Sequence, residues 1–408
     1  MNKERIVILG AGFGGLLTAL QIAGRKKNAR ITLIDKRSEH TYTPWLYELC
    51  TGFLFHSTKK QVHDLKSTSA IDLKFILKKS RRKNIHFKHA EVIGCDFSTN
   101  HVVLAGDKTV KYDTLVIALG AETAYYGIEG AKDNSLHLKH ADNALEIRMA
   151  LEDLVENGHE KRVLIVGAGP AGVECAAELA NYTRKLERHE MISPDKLRIT
   201  LIDASDSILS RMPKLQKAAT KRLKKLGVEI FVDTTLSRID GKLAYIKNAK
   251  AMPYDVLLWA GGVNPCSTLK TFDLPKDPRG RLKVSPYLQV MGHPEIYAVG
   301  DNISLIDERS KRPVPATAWS AVAQSRILAF NICSKVKKKK YILPKRFPAV
   351  ITVGGRSAVA NVSGVPVVNG FAFLLRRIVD LRYFLKILPI VDALKYWKRS
   401  IHILGKND

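Results

Sequence analysis

"RIVILGAGFGGLLTALQIA" (Arg5–Ala23) returns as a pattern in "KRVLIVGAGPAGVECAAELA" (Lys161–Ala180): an apolar run, three glycines at the same spacing and a further apolar-rich stretch. Each copy reads as a buried strand, a tight glycine turn and a helix. The strands are continuous apolar runs, as expected where both faces of a parallel sheet are covered. Each copy is followed by a second strand that ends in an acid, "ARITLIDKR" with Asp35 and "LRITLIDAS" with Asp203. Each module then closes on a Tyr-Asp pair and another apolar strand, "YDTLVIALGAET" (Tyr112–Thr123) and "YDVLLWAGGVNP" (Tyr254–Pro265). The chain therefore carries one module twice, in the same internal order.

The glycines fit G-x-G-x-x-G at Gly10, Gly12 and Gly15, and again at Gly167, Gly169 and Gly172. In this pattern the first glycine permits the sharp turn. The second lets the backbone approach a pyrophosphate, and the third lets the helix sit close to the strand. The phosphates rest on the helix N-terminus, where free N–H groups and the macrodipole favour anions. Asp35 and Asp203 are placed to accept ribose hydroxyls. Asp203 would repel a 2′-phosphate, so NADH is expected over NADPH. A further strand, "EIYAVGDNI" (Glu295–Ile303), ends in Gly300–Asp301. Two nucleotides in one chain suggest a flavin that takes electrons from a nicotinamide. The strand ending in Gly-Asp resembles that of two-dinucleotide flavoproteins, and the resemblance implies Asp301 on the flavin's ribityl–phosphate stretch.

The fold class expected is α/β, with two Rossmann-like dinucleotide-binding domains and a C-terminal membrane-attachment domain. The boundaries read as 1–118 for the first part of the FAD domain, 119–264 for an inserted NADH domain, 265–342 for the second FAD part and 343–408 for the C-terminal domain. The 408 residues suffice for such cores.

Lys and Arg number 66 against 39 Asp and Glu, a formal charge of +27. Such a chain is drawn to polyanions, either nucleic acid or an anionic membrane surface. No zinc finger, helix-turn-helix or RNA-binding motif is present, which argues against nucleic acid. The five cysteines are scattered and form no C-x-x-C, so a zinc site or a disulfide framework is not expected and no metal is implied. The uncharged stretch Ser357–Leu375 contains Asn361, Gly364, Pro366, Asn369 and Gly370, and reads as strands and a turn rather than a membrane span. After it, "GFAFLLRRIVDLRYFLKILPIVDALKYWKRSIHIL" has a helical pattern broken by Pro389. Its aromatic and aliphatic residues alternate with basic ones, which suits an interfacial helix on anionic lipid.

These residues resemble the type II NADH dehydrogenases, the non-proton-pumping NADH:quinone oxidoreductases. The resemblance rests on "GAGFGGL", on "HTYTPWLYELCTG" (His40–Gly52), on "GAGPAGVECAAELA", "LLWAGGVNP" and "YAVGDN", and on the C-terminal "RYFLKILPIVDALKYW". It implies hydride transfer from NADH to FAD, then electron transfer to a membrane quinone, ubiquinone or menaquinone. The FAD side is assigned Phe13, Gly14, Lys36, Pro44, Ala118, Gly120 and Ala318 besides the residues above, and the NADH side Gly261 and Gly262. Glu174, placed by spacing in the helix's first turn, has the ordinary reading of an acid favoured by the macrodipole. The resemblance instead gives it a catalytic role on the electron-acceptor side. One departure stands out. The family's Thr-Ala-Gln-x-Ala-x-Gln element is "TAWSAVAQ" here: Trp319 and Ala323 occupy the glutamine positions, and Gln324 comes one residue later. These three are assigned to the acceptor side.

Two related activities share this architecture: a flavin reductase that uses NAD(P)H with a soluble acceptor, and a sulfide:quinone oxidoreductase-like enzyme with redox cysteines. Cys50 and Cys175 offer themselves as such a pair, but buried small hydrophobes are the better reading. The expected location is peripheral, on the cytoplasmic face of the inner or cell membrane. A homodimer through the C-terminal region is a further expectation.

Overall fold

The computed structural model describes residues 3–52, 58–156, 160–194, 196–344, 349–362 and 364–405. The chain begins with β1 (Arg5–Leu9), α1 (Phe13–Arg25) and β2 (Arg30–Asp35). The short α2 (Leu46–Leu49), β3 (Ile85–His89) and β4 (Thr114–Ile117) follow. A second set comprises β5 (Leu136–His137), β6 (Lys161–Val166), α3 (Pro170–Arg188), β7 (Leu197–Ile202), β8 (Glu229–Phe231) and β9 (Val256–Trp259). The chain then returns through β10 (Ile296–Ala298) and α4 (Ala318–Cys333). It closes with β11 (Ala349–Thr352), β12 (Ala358–Val362), β13 (Val365–Asn369), α5 (Gly370–Ile387) and α6 (Ile390–Leu404).

Two five-stranded sheets result, ordered β10-β4-β1-β2-β3 and β5-β9-β6-β7-β8, with every pairing parallel. Ile6, Val7, Ile8 and Leu9 of β1 are all buried, as are Val163 to Val166 of β6. This burial on both faces explains the unbroken apolar runs, because each sheet is covered on each side. In each sheet the strand order reverses at the first strand of its module, β1 or β6. That switch point leaves a crevice at the strand's C-terminal end, where the glycine loop sits.

The second sheet's strands all lie between β4 and β10 in the chain. Entry and exit run through a two-stranded ribbon, in which Ala121–Thr123 pairs antiparallel with Val263–Pro265. These are the tails of the two repeated strand motifs, so the repeat also forms the connection between its own copies. The C-terminal part is a β11-β12-β13 antiparallel meander followed by two helices that meet at Pro389. Strands and a turn therefore occupy the uncharged stretch as far as Asn369, and helix takes over from Gly370. No helix among the described residues is long and apolar enough to cross a membrane.

Candidate active site

The two glycine loops are built alike. Gly10 and Gly167 take φ of +96° and +104°, the left-handed half of the map where a side chain is strained. A methyl on Gly15 would drive into the Gly10 carbonyl oxygen, and one on Gly172 into the Gly167 carbonyl oxygen. A Cβ on Gly12 or Gly169, by contrast, would meet nothing within 4 Å. These second glycines are the helix N-caps, and neither helix has a side-chain cap. The first-turn N–H groups are thus left for an anion, which a pyrophosphate fits.

The acid after each module's second strand latches its own loop. Asp35 accepts from the N–H of Ala11 at 2.6 Å and of Arg37 at 2.8 Å. Asp203 does the same for Ala168 at 2.5 Å and Ser205 at 2.7 Å. Each carboxylate oxygen keeps a lone pair for a ribose hydroxyl. Burial holds the Asp35 carboxyl above the usual range, against the opposing effect of its two backbone donors.

Several of the positions expected on the flavin side lie together at the end of the first sheet. Gly10 lies against the Ala118 carbonyl, and Gly120 (φ +69°) donates to Asn302 Oδ1 at 3.0 Å. Asn302 in turn donates to the Ile117 carbonyl at 3.2 Å, so the Gly300–Asp301 turn is tied to the end of β4. Gly14 contacts Val299. Burial raises the Asp301 carboxyl, and the charge of Lys139 opposes this. The Lys139 ammonium is itself held below its usual range by burial, with Asp301 and Glu122 as its opposing charges. Lys36 stands further out, paired with Glu91 at 3.3 Å. Of the two glycines expected on the nicotinamide side, a methyl on Gly262 (φ +132°) would collide with the Tyr126 hydroxyl, and one on Gly261 would meet the Trp259 ring.

Glu174 is the fifth residue of α3, since the helix starts at Pro170. It is not in the first turn as its spacing suggested, so the macrodipole explains less of its presence. Its side chain is 12% exposed. The N–H and the hydroxyl of Thr352 both donate to Oε1 at 3.3 Å, and Arg376 Nη1 stands 3.9 Å away. Burial outweighs these and pushes the carboxyl from an ordinary 4.5 up to about 7. A raised carboxyl pKa favours the protonated, folded form. Its contribution is complete below pH 4.5 and is lost as pH rises to about 7. Glu174→Gln should remove that slope. Denaturant unfolding across this window should show wild type losing stability, on the order of 3 kcal/mol relative to the variant. Parallel curves for the two proteins would refute the assignment.

Arg376 joins three parts of the chain. Its guanidinium reaches Glu174 on α3, donates to the Pro44 carbonyl at 2.8 Å and the Val350 carbonyl at 3.2 Å, and lies 3.4 Å from Asp380. Arg377 pairs with Glu48 at 3.1 and 2.6 Å. Asp380 accepts from Tyr42 Oη at 2.7 Å and Trp45 Nε1 at 2.8 Å. Arg377 and Asp380 are 4% and 0% exposed. The His40–Gly52 stretch is therefore clamped by α5 through the buried Arg377–Glu48 ion pair and through hydrogen bonds to Arg376 and Asp380. Sequence reading missed Arg376, Arg377, Asp380, Thr352 and Lys139. A signal was the adjacent Arg376–Arg377 pair followed by Asp380 within one helical turn of an apolar-rich helix.

Trp319 and Ala323, the residues assigned to the acceptor side by resemblance, are half-buried on α4, as is Ala318. Gln324 is buried, and its side-chain carbonyl accepts from the Gly300 N–H at 2.9 Å. It braces the Gly-Asp turn. Cys50 and Cys175 are free, buried, and both held above the ordinary thiol range by burial, which suits packing rather than thiolate chemistry.

The sequence pattern of the pyridine nucleotide-disulphide oxidoreductase family matches residues 4–325. A Synechocystis protein named demethylphylloquinone reductase NdbB is 30% identical over 94% of this chain and 92% of its own. The Mycobacterium tuberculosis type II NADH:quinone oxidoreductase NdhA is 29% identical over 99% of this chain and 88% of its own. The solved structure of NDH2 from Plasmodium falciparum in complex with NADH shares the fold, with a TM-score of 0.83 at 20% identity over 98% of both chains. The duplicated loops, the matching acid latches and these likenesses agree: the chain belongs to the pyridine nucleotide-disulphide oxidoreductase family, in its type II NADH dehydrogenase branch.

Proposed function

We propose that this chain oxidises NADH at the second fingerprint, passes the hydride to FAD held at the first, and delivers the electrons to a membrane quinone without pumping protons. The observation that carries this reading is the duplicated loop-and-latch on two sheets joined by one ribbon. FAD supplies the redox chemistry when bound. The protein's part is to hold two pyrophosphates on the N-termini of α1 and α3, and to place Asp203 and Asp35 at their riboses. Anaerobic NADH should bleach the yellow protein, and added quinone should restore the colour. Bleaching without reoxidation by quinone would point instead to a soluble acceptor, the reading that Trp319 and Ala323 at the glutamine positions would favour. Because Asp203 would face a 2′-phosphate, kcat/KM for NADPH should be at least about tenfold below that for NADH. Equal values would sink the assignment of Asp203.

Glu174 serves the acceptor side in this reading. Quinone reduction consumes protons as well as electrons, and a carboxyl with its pKa near 7 exchanges protons at neutral pH. Arg376 links it to Pro44 in the flavin-side segment. In stopped-flow, Glu174→Gln should leave flavin reduction by NADH intact and slow reoxidation by quinone roughly 10- to 100-fold, at the low end of general acid–base effects. Loss of the first step with the second untouched would reverse the assignment.

The C-terminal helices suit the cytoplasmic face of an anionic membrane. Phe371, Ile390 and Val391 are 63%, 69% and 62% exposed, beside exposed Arg382, Lys386, Lys395 and Lys398. Apolar residues at this exposure with flanking cations match an interfacial helix, each cation adding ~1 kcal/mol near anionic lipid. Flotation with anionic liposomes should carry the chain upward, and high salt should weaken the association. A dimer in solution that does not float would assign the same face to a second copy.

A further inference from the structure

The two fingerprints differ in how one peptide is held. In both copies the N–H of the alanine between the first two glycines goes to the latch acid. In the NADH copy the alanine's carbonyl, on Ala168, accepts from the Leu209 backbone N–H at 2.8 Å. In the FAD copy the equivalent carbonyl, on Ala11, is held by a side chain, His40 Nδ1, at 2.9 Å. The other ring nitrogen, Nε2, lies 2.7 Å from the hydroxyl of Tyr383 on α5. His40 and Tyr383 are 1% and 6% exposed.

The proton positions follow from the partners. A carbonyl only accepts, so Nδ1 must carry the hydrogen. Nε2 of the neutral ring is then an acceptor, and Tyr383 donates to it. Burial supports neutrality by holding the imidazole down at about 4. A trans peptide directs its carbonyl and the following N–H to opposite sides. Fixing the Ala11 carbonyl therefore fixes the Gly12 N–H on the opposite side of the peptide, at a helix N-cap that has no side-chain cap and beside which a Cβ on Gly12 would meet nothing within 4 Å. Phe13, the next residue, packs on the same two rings, 5.3 Å from His40 and 4.8 Å from Tyr383 between centroids.

We propose that His40 and Tyr383 are positioning residues for FAD: Tyr383 fixes the His40 tautomer, and His40 fixes the peptide that presents the Gly12 N–H to the pyrophosphate. The C-terminal helix thereby becomes part of the flavin site, whereas the NADH loop is held wholly within its own domain. This inference rests on the assignment of the first fingerprint to FAD.

The test uses the full chain, stripped of FAD and titrated with it in an ultrafiltration assay. Tyr383→Phe should raise the FAD Kd about tenfold, the usual cost of a lost buried hydrogen bond at a polar site. His40→Leu should raise it further, and His40→Gln, which keeps a donor, should recover part of the loss. NADH affinity should stay unchanged in all three, because Leu209 holds that loop. Nitrogen-15 spectra of histidine-labelled protein should show His40 as the Nδ1–H tautomer, with its resonances displaced in Tyr383→Phe. A lower apoprotein Tm in Tyr383→Phe with the FAD Kd unmoved would overturn the proposal, leaving Tyr383 as packing only. If wild type itself takes up no FAD, the underlying assignment fails, and the proposal with it.

Discussion

Replacing Arg377 with methionine is expected to lower stability by about 3–5 kcal/mol, the loss typical of removing one partner from a buried ion pair. The guanidinium is 5% exposed and holds both oxygens of Glu48. Without it, Glu48 keeps a hydrogen bond from Tyr47 Oη at 2.9 Å but loses the countercharge bonded to its carboxylate. The effect should appear as a lower urea midpoint for release of α5, monitored through Trp45 and Trp397, which the cluster holds: Trp45 donates to Asp380, and Trp397 donates to the Arg377 carbonyl. Removing both charges, with Glu48→Leu added to Arg377→Met, should restore part of the loss, because no charge of the pair is then left buried alone. If the double variant is as unstable as the sum of the singles, the pair is not coupled and the clamp acts by packing.

The second large effect is expected at Gly172. Its Cβ position lies on the Gly167 carbonyl, so Gly172→Val must push α3 away from β6. A displacement of order 1 Å at a reacting centre costs roughly 10²-fold in rate. Flavin reduction by NADH should therefore slow by at least about that factor, while the FAD content of the purified protein stays near that of wild type. The matching change in the first copy, Gly15→Val, should do the opposite and leave the protein without FAD. Loss of FAD in Gly172→Val would show that the two loops do not act independently.

Much of the fold was legible because its decisive features are local. A first glycine held in the left-handed region, another against a carbonyl and an acid at the end of the next strand are each required within one module's length. The sequence shows them twice. That β1 and β6 each sit inside a parallel sheet follows from apolar runs too continuous for a half-exposed sheet. The break at Pro389 was equally local, since a proline inside a helical pattern removes a backbone donor and crowds the preceding turn.

The site's electrostatics were not legible, and Glu174 shows why. Spacing placed it in a first turn and offered the macrodipole as the reason. The helix begins at Pro170, which moves Glu174 inward, and its pKa near 7 comes from burial beside Thr352 and Arg376, the nearer of them 178 positions away in the chain. Gln324 is a similar case: its motif position did not reveal that its side-chain carbonyl accepts from the Gly300 N–H, 24 positions earlier. Sequence alone determined the duplicated dinucleotide module, since backbone sterics near each glycine are set by immediate neighbours. Only the tertiary structure decided which charges share a dry interior, because desolvation and pairing depend on packing between segments that the chain order keeps far apart.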